Sequence, residues 1–170
     1  MIQRLVTERL IIIPMTHSMI CSVLSGNNDM YMNMGINNNG KWPLPDTMDI
    51  LHFIKDNMNK NDVVSGFDVW MVVKKDGMTV IGDAGFKGEP NEAGEIEIGF
   101  GLIPEEQQKG YGYELACALM DWAAQQAEVK IIKADCLLDN IGSKKLLQKC
   151  GMSEVSRDSE LIYWEKRIIE

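Results

Sequence analysis

One stretch constrains this chain more than any other: residues 94–114, GEIEIGFGLIPEEQQKGYGYE. Ile96, Ile98, Phe100 and Leu102 alternate with Glu95, Glu97, Gly99 and Gly101, the period of two of a pleated strand. Pro104 ends that strand, because proline has no N–H to donate and fixes its own φ. A polar turn over 105–109 leads to Gly110 and Gly112, and then to a helical pattern with Leu115, Leu119, Trp122 and Ala123 on one face. A strand, a glycine turn and a helix N-terminus in that order make a site for phosphate. The first N–H groups of a helix have no partner within it, the helix dipole favours an anion there, and glycine lets the ligand come close to the backbone.

The rest of the chain supplies a sheet for this unit to sit in. Residues 9–15 read as a first strand, apolar and β-branched. Thr16 is placed to N-cap a helix over 16–25. A second helix is expected from Pro45 to about residue 60, with Ile50, Leu51, Ile54 and Met58 as its apolar face. Two strands, 67–75 and 79–87, flank Lys75-Asp76-Gly77, a hairpin signal, and a further turn near Asn91 leads into the central strand. After the long helix come a strand over 130–137, a short helix over 140–150 closed by Gly151, and a hairpin from 152–157 and 161–168. Residues 26–46 are dominated by turn chemistry, yet carry Tyr31, Met32, Met34 and Trp42. They form either a surface loop or a wall of the substrate pocket, with Tyr31 and Trp42 among its contacts.

Several function classes are excluded or disfavoured. A net charge of −8 argues against binding nucleic acid or an anionic membrane, and favours the approach of a cationic amine. There is no apolar run of membrane-spanning length and no signal-peptide cleavage pattern. Cys21, Cys117, Cys136 and Cys150 are widely spaced, which suits a reduced cytoplasmic protein. His17 and His52 are the only histidines and have no acidic partner at metal-ligand spacing, so no metal is expected. Gly110-Tyr111-Gly112 could begin a dinucleotide fingerprint, with Asp135 on a ribose, as in a nucleotide-binding oxidoreductase. Leu115 stands at the third glycine, however, and five residues separate Pro104 from Gly110. No Gly-Lys-Ser/Thr follows to make a P-loop. Cys117, early in the long helix, is either a thiol exposed to the helix dipole or small packing volume.

Gln107-Gln108-Lys109-Gly110-Tyr111-Gly112 is similar to the Q/R-x-x-G-x-G/A loop of the GNAT family of N-acetyltransferases, where it holds the pyrophosphate of acetyl-CoA. Thr7-Glu8-Arg9-Leu10 with Pro14, Glu97-Ile98-Gly99-Phe100, and Asn140, Ser143 and Leu147 on to Gly151 follow in the family's order. Together they resemble the branch that acetylates ribosomal-protein N-termini, which antibiotic and other small-amine acetyltransferases share. The resemblance implies one domain over 1–170, with an α/β fold. Its mixed, mostly antiparallel sheet would have about six or seven strands, flanked on both faces by about four helices. The central strand and the strand after the long helix would run parallel and splay apart, freeing main-chain groups for the pantetheine arm.

The implied cofactor is acetyl-CoA, used as a co-substrate. It would be held by Leu102, Gln107, Gln108, Lys109, Gly110, Tyr111, Gly112, Asn140 and Ser143. The reaction implied is direct transfer to a primary amine, a protein N-terminus or a small molecule, by a monomer or homodimer. Glu97 would serve as base and Ser143 as acid, with Tyr163 an alternative acid. Read from the residues alone, Glu95 and Glu97 are a solvated strand face, Asn140 is an N-cap and Tyr163 a sheet aromatic. A non-catalytic acyl-CoA sensor would keep the loop and lack the chemistry. Three positions depart from the family pattern: Gln108 where glycine is usual, which disfavours φ > 0 there; Ile13 for arginine; and Met152 for phenylalanine.

Overall fold

The β-branched and apolar runs become a single eight-stranded sheet in the computed structural model, which describes residues 2–168. The strands are β1 (Leu5–Val6), β2 (Leu10–Pro14), β3 (Val69–Lys74), β4 (Thr79–Phe86), β5 (Glu95–Leu102), β6 (Ile131–Leu137), β7 (Ser153–Arg157) and β8 (Leu161–Arg167), in spatial order β1-β2-β3-β4-β5-β6-β8-β7. Every neighbouring pair is antiparallel except β5 and β6. These two run parallel and stay paired only at Glu95↔Ile131, Ile96↔Ile132 and Glu97↔Lys133. Beyond Glu97 each keeps only its outer neighbour: β5 stays with β4 as far as Leu102, and β6 with β8 as far as Leu137. The sheet therefore opens at its middle, and the opening begins at Glu97.

Five helices cover the faces: α1 (His17–Leu24), α2 (Asp29–Asn33), α3 (Pro45–Asn57), α4 (Tyr111–Ala124) and α5 (Ile141–Lys149). The strand register assigns the faces, since directly paired residues point the same way. Trp70, Ala84 and Phe100 share one face with Phe86 and Ile98. α4 packs there, its Trp122 ring stacked obliquely among Phe67, Trp70 and Phe86 at 5.2–5.9 Å. Met71, Asp83, Gly101 and Glu97 belong to the opposite face, where α3 reaches Asp83 through Thr47.

The structure adds two elements to the expected order, β1 and the short α2 inside residues 26–46. β1 is only two residues long and pairs through Leu5↔Ile12, so no periodicity could announce it. The apolar face of α3 is also corrected. Leu51 is fully buried, and Thr47 and Met58 are buried with it, whereas Ile50 is half exposed. The helix turned Thr47 inward because its hydroxyl donates to the Asp83 carboxylate (2.9 Å). Thr16 does cap α1, its hydroxyl accepting from Met19 N–H, and Gly151 lies at φ 82° beyond α5.

Candidate active site

The turn between β5 and α4 is built to present N–H groups. Pro104–Glu106 makes one 3-10 turn, and the chain then passes through left-handed backbone at Gln108 (φ 60°) and Gly110 (φ 85°) before α4 begins. Among the described residues, the N–H groups from Gln108 through Tyr113 find no protein acceptor. Successive unpartnered N–H groups at a left-handed turn and a helix start form an anion nest. Gln108 is a correction to the sequence reading. It takes the positive φ that glycine usually takes there, at a strain of about 1–3 kcal/mol, and the turn keeps its shape.

What holds the turn explains the Thr7-Glu8-Arg9 motif. Glu114, in the first turn of α4, accepts from Thr7 Oγ1 (2.6 Å), Arg9 N–H (2.7 Å) and Arg9 Nε (2.7 Å). Arg9 Nη1 then donates to the Lys109 carbonyl (2.9 Å), and its guanidinium lies 4.4 Å over the Tyr111 ring. Glu106 anchors the other end, paired to Lys74 (2.6 Å) and Lys109 (3.2 Å). Gln107 Nε2 donates to the Leu102 carbonyl (3.0 Å), tying the turn to the last residue of β5. Gly112 has a different task from Gly110. A Cβ there would meet Leu146 Cδ1 at 2.9 Å, so its bare Cα lets α5 pack against α4 while its N–H stays in the nest.

Glu106 and Glu114 make the turn sensitive to acid. Burial raises both carboxyl pKa values, but their donors outweigh it: Lys74 and Lys109 for Glu106, Thr7 and Arg9 for Glu114. Both therefore end below the ordinary value of 4.5. A depressed folded pKa gives stability that is present above the unfolded value and lost as pH falls through the folded one. Urea unfolding from about pH 6 to pH 3 is expected to show stability falling below about pH 4.5. In Glu114→Gln, stability at neutral pH should drop by roughly 1–3 kcal/mol and the acid-side loss should shrink. An unchanged acid limb would show that Glu114 does not brace the turn.

The opposite face of the opening carries charge and a bare floor. The Glu97 carboxylate is paired with Lys87 Nζ, which also reaches Asp135 Oδ2 at 3.4 Å. Burial lowers the Lys87 pKa, but the two carboxylates raise it further, so it ends above its ordinary value and stays charged. Glu95 pairs with Lys133 instead (2.9 Å). A cavity of about 310 Å³ continues from Glu97 past Lys133, Ser156, Tyr163 and Glu165. Along β5 from Glu97, Gly99 and Gly101 leave a trough; a Cβ at either would meet nothing within 4 Å. Asp83, paired across from Gly101, borders it.

Asp83 is a residue the sequence reading missed. Its carboxylate accepts from Trp42 Nε1 (2.8 Å) and Thr47 Oγ1 (2.9 Å). Burial pushes its carboxyl above the usual range despite those donors. Its pairing opposite Gly101 was implicit in the meander, but no motif marked it. Lys87 and Lys74 were missed for the same reason: each matters only through a cross-strand or long-range carboxylate.

The remaining expected site residues fall in three places. Asn140 N-caps α5, its Oδ1 accepting from Ser143 N–H (3.0 Å), so the two stand together at the end of β6. Tyr163 lies on β8 opposite Asp135, and its hydroxyl donates to Asp158 (2.7 Å). That bond holds its proton more tightly than an ordinary phenol. Tyr31 and Trp42, the proposed pocket contacts of residues 26–46, lie inward on that segment. Both are buried, with Trp42 only 1% accessible, and they pin residues 26–46 to the core. Burial lifts the Tyr31 hydroxyl to about 12. The large apolar side chains exposed on this segment are Met32 and Met34. Among the described residues, no group of His, Cys, Asp and Glu is arranged to hold a metal, and no helix is long and apolar enough to cross a membrane.

Comparison with known proteins agrees with this geometry. The model of the acetyltransferase (GNAT) domain matches residues 9–153. An uncharacterized N-acetyltransferase of Bacillus subtilis, YjdG, is 38% identical over 131 residues, 77% of this chain and 78% of that protein. A GNAT-family acetyltransferase from Bacillus anthracis superposes with a TM-score of 0.66 at 18% identity, covering 97% of this chain and 98% of that one. RimL, a ribosomal L7/L12 alpha-N-protein acetyltransferase solved with coenzyme A, gives 0.66 at 13% identity over 96% and 97%. The family uses acetyl-CoA, and the domain match runs from Arg9, which braces the turn, through the opening and the turn itself to the start of β7. The chain belongs to the GNAT family of N-acetyltransferases.

Proposed function

We propose that this enzyme, as one catalytic domain over 1–170, transfers the acetyl group of acetyl-CoA directly to a primary amine that reaches the sheet beside Glu97. The observation that carries this reading is the position of Lys87. A primary ammonium is held between the Glu97 and Asp135 carboxylates, where β5 and β6 part. An acceptor ammonium has the same charge and shape. Lys87 is largely exposed on a flexible stem, so an incoming amine can take its place.

Acetyl-CoA supplies the activated acyl group. The free N–H groups of Gln108, Lys109, Gly110, Tyr111, Gly112 and Tyr113 suit its pyrophosphate, with Gln107 and Leu102 at the strand end and Asn140 and Ser143 across the opening. Glu97 takes the proton that makes the amine nucleophilic. Ser143 supports the leaving sulfur. Tyr163 is the weaker acid because its hydrogen bond to the Asp158 carboxylate holds the proton on the phenol. The acid-rich face and a chain charge of −8 suit acceptors that arrive as cations, either protein N-termini or small amines. Cysteines with no disulfide among them suit a cytoplasmic setting.

The test is thiol release from acetyl-CoA against a panel of N-terminal peptides and small amines. Primary amines are expected to turn over and tertiary amines not. Tight acetyl-CoA binding without turnover on any amine would instead identify an acyl-CoA sensor.

A further inference from the structure

Two cysteines outside the reaction chemistry lie in contact. Cys117, midway along α4, and Cys150, which caps the C-terminus of α5, hold their sulfur atoms 3.8 Å apart. Among the described residues, neither Cys21 nor Cys136 is bonded to another cysteine; Cys21 lies against His17, and Cys136 accepts from Trp164 Nε1. The two members of the pair differ in access. Cys117 lines a cavity of about 830 Å³ between the N-terminal segment around β1 and α4, together with Thr7, Tyr113 and Asp121. Cys150 is buried behind it.

We propose that Cys117 and Cys150 form a redox-modification site, in which a hydroperoxide entering this cavity oxidises Cys117 and Cys150 resolves it to a disulfide that staples α4 to α5. The Cys117 thiolate attacks one peroxide oxygen, the O–O bond breaks, and the departing oxyanion takes up a proton. Cys117 is left as a sulfenic acid. The Cys150 sulfur then attacks the Cys117 sulfur, the S–O bond breaks, and the Cys150 proton leaves with the hydroxyl as water. Two thiols are oxidised and one hydroperoxide is reduced.

The surroundings fit both steps. Cys117 is partly accessible through the cavity, and a reachable thiol with a resolving thiol behind it is the arrangement of reversible thiol sensors. A disulfide needs sulfurs about 2.05 Å apart, so the pair must close by less than about 2 Å. Cys150 sits at a helix end followed by Gly151 at φ 82°, where backbone adjusts at least cost. Burial, aided by the adjacent Cys117 charge, pushes the Cys150 thiol up to about 12. Lys149 and Lys166 act in the opposite direction and favour the Cys150 thiolate. The site stands whatever the acceptor amine proves to be.

The experiment uses the whole protein, reduced and then treated with one equivalent of hydrogen peroxide. Titratable thiols are expected to fall by two, with a mass loss of two hydrogens. Peptide mapping should find Cys117 joined to Cys150, and the melting temperature should rise by about 5–10 °C and return on reduction. Cys150→Ala should accumulate a Cys117 sulfenic acid that dimedone traps, and Cys117→Ser should give neither product. Because the mapping uses the native sequence, it does not depend on either variant folding. A disulfide involving Cys21 or Cys136, a cross-linked dimer, or over-oxidised Cys117 with Cys150 still free would overturn the proposal.

Discussion

Glu97→Gln is expected to leave acetyl-CoA affinity unchanged and to lower kcat by about 10²–10⁴, the usual contribution of a general base. The reason is position: Glu97 is the last residue of β5 still paired to β6, so its carboxylate stands where the sheet opens. The loss should shrink at alkaline pH, where more of the amine is already neutral. Glu95→Gln is the control, because Glu95 is engaged by Lys133 and Asn91. Asp83→Asn separates a second carboxylate that also borders the trough. A drop confined to Glu97 and rescued by base supports the assignment. Equal, pH-independent losses in Glu97→Gln and Glu95→Gln would make Glu97 a structural residue. A larger, alkali-rescued loss in Asp83→Asn alone would move the base to that carboxylate.

Gly110→Val should weaken acetyl-CoA binding by at least about a hundredfold. Gly110 lies at φ 85°, a conformation that β-branched side chains rarely adopt, and a Cβ there would stand 3.2 Å from Arg9 Nη2. Relief of either strain turns the N–H groups away from the nest. Losing two charge-assisted hydrogen bonds at roughly 1.5–3 kcal/mol each accounts for the size of the effect. The fold should survive with a stability loss of about 1–3 kcal/mol. Calorimetry that shows normal acetyl-CoA affinity in a folded Gly110→Val protein would remove the nest from the cofactor site. Gly112→Val is less diagnostic, because its side chain would first displace Leu146 of α5.

The elements legible in the sequence were those written by local pattern. The alternation of Ile96, Ile98, Phe100 and Leu102 became β5, Pro104 ended it, and Asn140 and Gly151 bounded α5. Long-range ion pairs were not legible. Nothing local to Glu114 announces that Thr7 and Arg9 will reach it from the chain's N-terminal end. Residues 26–46 stayed open between a surface loop and a pocket wall, because large apolar side chains in a polar segment do not announce what they pack against. Trp42 is an anchor because Asp83, on a strand far along the chain, accepts its indole N–H. Gln108 shows the same limit in the other direction: a fixed turn, held by Arg9 and Glu106 on either side, imposes a φ that the residue alone disfavours.

Initial velocities of thiol release, with acetyl-CoA and a primary amine both varied, test direct transfer beside Glu97 most directly. Attack within a ternary complex predicts intersecting reciprocal plots, with acetylated amine formed in equal amount to the released thiol. Parallel plots with an acetylated enzyme, or thiol release without acetylated amine, would contradict it.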